Sequence, residues 1–224
     1  MSFDLATGAL LAGLWAGYFV LHSLFASLRL KKWVAGRWPR GMALYRLTFN
    51  LLAVLLLLPP LWLTFALEGD YLWRWQGPWA WLSHLLAMGA LGGFYWSLRY
   101  YDGSEFLGLR QWRRSQRQVE DQEGFYISPL HRFVRHPWYS LGLVLIWTRD
   151  MNGPLLLSAI AMSLYFVFGS RLEERKLLVY HGEAYRRYRH QVPGLIPSPW
   201  HYLDRKAARE LEAAARARSG TLGP

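Results

Sequence analysis

Two clusters of ionisable residues stand at the edges of uncharged runs. Arg135-His136-Pro137-Trp138-Tyr139 opens the apolar stretch Pro137–Thr148, and Arg171, Glu173, Glu174, Arg175 and Lys176 close Met151–Ser170. If the two stretches fold back on each other as helices, both clusters fall at one end of the pair. Ionisable groups at membrane depth are costly, so they pair with one another or line a cavity. The other reading makes them interfacial anchors with snorkelling cations. Pro137 suits the first turn of a helix, where free N–H groups can face an anion.

The other reactive residue types assemble less. Of the seven histidines, His22 and His84 lie in separate uncharged runs, and the rest lie in the arms. No HxxxH or HExxH pair shares a helix face, so hydrogen-bonding roles are expected and no metal site is assigned. Cysteine is absent, which excludes disulfides, thiolate catalysis and Cys-based metal sites. Gly89, Gly92 and Gly93 fall within an uncharged run, without the strand and helix that flank a nucleotide loop. They read as close-packing glycines. Nothing supports a soluble dinucleotide-binding or P-loop domain.

The elements that must position these residues follow from charge placement. The chain has 224 residues, 53% apolar, with 13 Trp and a net charge of +11. Its mean hydropathy of +0.03 averages long uncharged runs with Arg-dense arms. Basic residues cluster where apolar runs end, as membrane topology requires, and this placement argues against nucleic-acid binding. Leu5–Leu28, Leu47–Leu67, Pro78–Leu98 and Met151–Ser170 are near the length of about 20 residues that crosses a bilayer. Pro137–Thr148 is shorter, and can cross only if its helix begins near Leu130. Asn152-Gly153-Pro154 supplies turn residues between it and the next run.

These runs predict an all-α polytopic bundle of five transmembrane helices, the last two a hairpin, with a cytoplasmic C-terminal helical arm. The first connection holds Arg29, Lys31, Lys32, Arg37, Arg40 and Arg46, and the third holds Arg99, Arg110, Arg113, Arg114 and Arg117. The positive-inside rule then places the N-terminus outside and the C-terminus in the cytoplasm of a multi-pass protein. MSFD lacks the basic start of a cleavable signal peptide. Residues 171–188 read as a helix continuing out of the last span, ended by Val192-Pro193. Asp204–Arg218 is a good helix former. The expected organisation is a three-span region (1–98), a core of linker, hairpin and arm (99–203), and a terminal helix and tail (204–224).

With these elements in place, three stretches resemble the isoprenylcysteine carboxyl methyltransferase and phospholipid methyltransferase superfamily. They are Val134-Arg135-His136-Pro137-Trp138-Tyr139, Leu172-Glu173-Glu174-Arg175-Lys176-Leu177-Leu178, and the tail from His181-Gly182-Glu183-Ala184-Tyr185-Arg186-Arg187-Tyr188 to Val192-Pro193-Gly194-Leu195-Ile196-Pro197. They match the family's RHPxY, EE and G-x-x-Y-x-x-Y-x-x-x-V-P-x-x-x-P order. Phe106-Leu107-Gly108-Leu109-Arg110-Gln111 and His22-Ser23-Leu24 look like the bacterial branch of methanethiol S-methyltransferases and NnrU-like proteins.

The resemblance implies S-adenosylmethionine as methyl donor. It places Gln111, Glu123, Tyr126, His131, Arg135, His136, Pro137, Tyr139, Glu173 and Glu174 on the donor side. Arg171 is the substrate-side cation and, with Glu174, the catalytic pair. Carboxylates and aromatic faces suit a sulfonium, while Arg135 and the turn at Pro137 suit a carboxylate. No dedicated general base is evident. The implied acceptor is a small thiol first, then a lipid amine or prenylated carboxylate entering from the membrane lipids. Two rivals stand beside this reading: an NADPH-dependent enzyme like the sterol reductases, and an NnrU-like accessory protein without turnover. One residue departs from the pattern. Where the family has glycine, two positions after the tyrosine, this chain has Leu141, and Gly142 follows.

Overall fold

The computed structural model describes residues 1–115 and 125–221, with residues 217–221 described by backbone alone. The elements are nearly all helices: α1 (Leu5–Ala26), α2 (Leu28–Arg37), α3 (Met42–Ala66), α4 (Pro78–Ser97), α5 (Gly103–Leu107), α6 (Leu109–Arg113), α7 (Pro137–Trp147), α8 (Gly153–Gln191) and α9 (Arg205–Thr221). Two short strands, β1 (Tyr71–Trp73) and β2 (Met151–Asn152), pair antiparallel. Among the described residues three helices are long and apolar enough to cross a membrane: α1, the stretch Pro39–Ala66 and α8. The uncharged α4 has the length, but its Trp, Gly and His content dilutes its hydropathy. With 11 residues, α7 rises only about 16 Å.

The chain divides into two compact units. In the first, made of residues 1–83, 101–121 and 149–165, Leu11 and Trp15 of α1 are buried against Leu63 and Leu67 after two prolines inside α3. Polar groups inside this apolar packing are matched, as burial demands. Trp15 Nε1 donates to Ser158 Oγ at 2.9 Å, Ser158 shares a 2.7 Å hydrogen bond with Thr64, and His22 Nδ1 meets the Tyr165 hydroxyl at 2.6 Å.

The first apolar run does not continue as one helix to Leu28. Ser27 adopts an extended conformation and caps α2, accepting from Leu30 N at 3.3 Å. Asn152-Gly153-Pro154 likewise begins a helix rather than forming a free turn, because Asn152 Oδ1 caps Leu155 N at 3.0 Å. Three segments meet at one end of this unit. Phe3 N donates to Glu68 O at 2.9 Å, β1 pairs with β2, and Trp75 N donates to Asp150 at 2.9 Å. Gly108 (φ +87°) lets α5 and α6 turn against α3, where a Cβ would stand 2.7 Å from Leu47 N.

The second unit comprises residues 84–100, 122–148 and 166–224. Trp138 Nε1 of α7 donates to Ser97 Oγ of α4 at 2.9 Å. The departure at Leu141 is a packing exchange: Leu141 lies over Gly93 of α4, and Gly142 lies beneath the Phe166 ring. In α8 the helix breaks at Gly182 (φ 52°, ψ −122°) and restarts. The restarted stretch buries Tyr185, Tyr188 and Val192 in a core with Ile127, Leu203, Ala208 and Leu211. Thus α9 is anchored by its apolar stripe, and Asp204 caps it by accepting from Ala207 N at 2.7 Å.

A side chain other than glycine is strained at the backbone angles of Gly182. Gly182→Ala should therefore destabilise the protein by about 1–3 kcal/mol. Gly89→Ala, whose Cβ meets nothing within 4 Å, should leave the melting temperature unchanged or raise it. Thermal unfolding of the two detergent-purified variants checks this, and equal melting temperatures would contradict the role given to Gly182.

Candidate active site

The site grows from a proline at each side of one corner. Pro137 starts α7 directly after His136, whose backbone is not helical (φ −122°, ψ 71°). Pro193 follows the end of α8 and cannot extend it, so residues 192–195 run alongside the corner as a strap. Arg135 N donates to Pro193 O at 2.8 Å and His136 N to Gly194 O at 3.1 Å, and Ser140 Oγ donates to Leu195 O. A Cβ on Gly194 would sit 3.3 Å from Arg135 Nη2 and 4.0 Å from Glu174 Oε1. A side chain there would crowd the Arg135 guanidinium.

The charges of the two sequence clusters meet here. Glu174 Oε1 accepts from Arg135 Nε at 2.8 Å, lies 2.7 Å from Arg135 Nη2, and lies 3.1 Å from His136 Nε2. His136 Nδ1 faces Glu173 Oε2 at 3.4 Å. Arg135 Nη1 donates to the carbonyls of Arg189 and Val192, which fixes the guanidinium along the end of α8. His136 is 6% exposed. Burial alone would lower its imidazole, but hydrogen bonds to Glu173 and Glu174 and the charge of both carboxylates hold it above its usual value. Tyr139 stacks on His136 (centroids 5.5 Å, 12°) and on Phe166 (4.9 Å, 8°), and its hydroxyl reaches Glu173 at 3.5 Å.

Thus Arg135, His136, Pro137, Tyr139, Glu173 and Glu174 come together in the second unit. His131 sits beside them through Tyr188, whose hydroxyl donates to His131 O at 2.7 Å, and its Nδ1 meets Ser128 Oγ at 2.7 Å. Burial pushes the His131 imidazole down to about 4, against the pull of Glu173. Arg171 is exposed on α8, one turn before Glu174. Tyr126 is 51% exposed. Gln111 belongs to the first unit, where it is buried on α6 and donates to Glu105 O at 3.3 Å. Glu123 lies outside the described residues. Sequence reasoning missed Phe166, Gly194 and Tyr185 as parts of this neighbourhood. The tail motif marked the last two, but only folding shows which way a tail side chain turns.

Removing one partner of a buried ion pair leaves the other charge uncompensated. Glu174→Ala should cost about 3–5 kcal/mol, read as a lowered melting temperature, with Glu173→Ala, whose carboxylate is half exposed, costing much less. His131 supplies a pH test. Its folded value lies below the unfolded one of 6.5, so its contribution is complete above that pH and drains as pH falls toward 4. The melting temperature of wild type relative to His131→Gln should fall over that window. A flat difference would contradict the assignment.

No protein-family model matches the chain, and no solved structure does. Curated relatives do. Methanethiol S-methyltransferase 2 of Bradyrhizobium diazoefficiens is 33% identical over 184 residues, which are 80% of this chain and 69% of that protein. The methanethiol S-methyltransferase of a Pseudomonas strain is 33% identical over 187 residues, 79% of this chain and 68% of its own length. That of Mycobacterium tuberculosis is 32% identical over 191 residues, 81% of this chain and 75% of its own. With its corner, carboxylate pair and tail in the order that marks the isoprenylcysteine carboxyl methyltransferase-like group, the chain belongs to the methanethiol S-methyltransferase family of that group.

Proposed function

We propose that this protein is a membrane-embedded, S-adenosylmethionine-dependent methyltransferase whose acceptor is a small thiol. The observation that carries the reading is the buried junction of Glu174 with Arg135 and His136, in a chain whose relatives are methanethiol S-methyltransferases. The residues fit the donor. When bound, S-adenosylmethionine supplies a methyl group on a sulfonium, open to displacement by a nucleophile. Glu173 and Glu174 offer carboxylates to positive charge, and the strap and α7 exclude water from the junction. Tyr126 and His131, in the same unit as the junction, are assigned to the donor side, with Arg171 on the acceptor side. There Arg171 stabilises a thiolate over its thiol. Positioning the two reactants supplies most of the rate gain in such a transfer.

The proposed topology has the N-terminus outside and the C-terminus cytoplasmic, with α7, which starts at Pro137 rather than near Leu130 and is too short to span a bilayer alone, running with its flanking turns as the fourth of five crossings. It is supported by the basic connections and by the meeting of the N-terminal residues, β1 and β2 at one end of the first unit. Those are the three segments that the charge rule assigns to a single side.

Purified protein should bind S-adenosylhomocysteine saturably by calorimetry and convert methanethiol to dimethyl sulfide. Glu174→Gln should weaken that binding about tenfold or more, the scale of a lost charge-assisted hydrogen bond. Arg171→Ala should leave binding within about twofold and lower kcat/KM for the thiol about a hundredfold. Absence of saturable binding sinks the reading. Binding with turnover only of lipid amines or prenylated carboxylates would move the acceptor, not the donor.

A further inference from the structure

Between α1 and α3 lies a helix that the core does not hold. None of the 10 residues of α2 is buried, and its two sides differ. At 3.6 residues per turn, the half-buried Leu28, Leu30, Lys31, Val34 and Ala35 share one side. The exposed Arg29, Lys32, Trp33, Gly36 and Arg37 share the other, within an arc of about 140°. Trp33 stands one turn from Arg29 and one turn from Arg37. It is 67% exposed, and Trp38, just beyond the helix, is 61% exposed. No Asp or Glu occurs from residue 5 to residue 67, so this side carries the cations of Arg29, Lys32 and Arg37 with no acid among them.

The depth of α2 follows from its neighbours. Both α1 and the stretch Pro39–Ala66 are long and apolar enough to cross a membrane. Tyr45, near the start of α3, donates its hydroxyl to Phe25 O at the end of α1 at 2.7 Å. The two ends thus lie level, and α2, about 15 Å long, connects them at a bilayer surface. A helix so short is marginal in water by itself, and an exposed tryptophan between two cations gains nothing from bulk water. In the headgroup layer the same side is matched. The ring suits the boundary between apolar and wet, and the cations meet phosphates. A solvated face would instead mix acids with its bases. We propose that this side of α2 binds acidic phospholipid headgroups and so ties the connection between α1 and α3 to the membrane surface. No residue of the Glu174 junction takes part.

The test mixes full-length protein in a nonionic detergent with equal amounts of phosphatidylglycerol, which is acidic, and phosphatidylcholine, which carries no net charge. Native mass spectrometry reads the lipid retained, and wild type should retain phosphatidylglycerol preferentially. Each cation near an anionic surface counts for about fivefold. The variant Arg29→Gln/Lys32→Gln/Arg37→Gln should therefore lower that preference about tenfold or more. Arg37→Gln alone should lower it about fivefold, which decides the matter should the triple variant fail to fold. Arg205→Gln/Lys206→Gln/Arg209→Gln removes the same charge from exposed positions of α9 and should keep the preference, as should the charge-conserving Arg29→Lys/Arg37→Lys. Three results overturn the assignment: no preference in wild type, an undiminished preference in the α2 variants, or an equal loss in the α9 variant, which would make net charge the cause. Binding of an oligonucleotide in place of lipid, lost in the α2 variants, would overturn it by giving this side to nucleic acid.

Discussion

One carboxylate oxygen organises the second unit. Glu174 Oε1 is shared by the Arg135 guanidinium and the His136 imidazole, and each of those is fixed in turn by backbone. Arg135 reaches the carbonyls that end α8, and the corner's own N–H groups reach the strap. Three segments far apart in sequence are therefore held by one buried charge. Such a junction contributes little net stability compared with apolar packing. It specifies which helix end meets which corner, and it leaves the region intolerant of losing any single partner.

The apolar parts serve that junction by geometry. Tyr139 is clasped between His136 and Phe166, so the ring that faces the junction is oriented from both sides. Leu141 fills the notch left by Gly93, and Gly142 makes room for Phe166. The family's glycine has in effect moved one residue, and a bulky side chain on one helix answers a missing one on another. Gly182 then turns the end of α8 so that Tyr185 and Tyr188 face inward with Ile127 and Leu203.

Much of this was legible in the sequence because its signals are local. Uncharged runs, the proline after His136, the proline after Val192 and the Ala-rich end announce helices and their limits. The meeting of Arg135 and His136 with Glu173 and Glu174 was legible too, because ionisable residues beside apolar runs seek each other. Less legible was whatever depends on a side chain's direction or on a single backbone angle. Ser27 ends α1 at Ala26, two residues before Leu28, and starts α2 through its own extended backbone, where hydropathy alone marks only the approach of Arg29. Gln111 reads as part of a motif, yet it lies in the first unit with its amide nitrogen donating to Glu105 O. The commitment of Arg135 to the main chain needs a fold that composition cannot draw.

The strap of residues 192–195 grips the corner through main-chain carbonyls rather than side chains. Such a grip reads the spacing of the chain and is nearly blind to what the chain carries. Besides Pro193 and Gly194, only Val192, which is buried in the core, is tied to its identity. Its length is fixed, because the carbonyls of Pro193, Gly194 and Leu195 each meet a fixed partner on the corner, and inserting or deleting one residue before Pro193 would move all three off their partners. Lineages of this fold should vary the lettering of the strap while keeping its count.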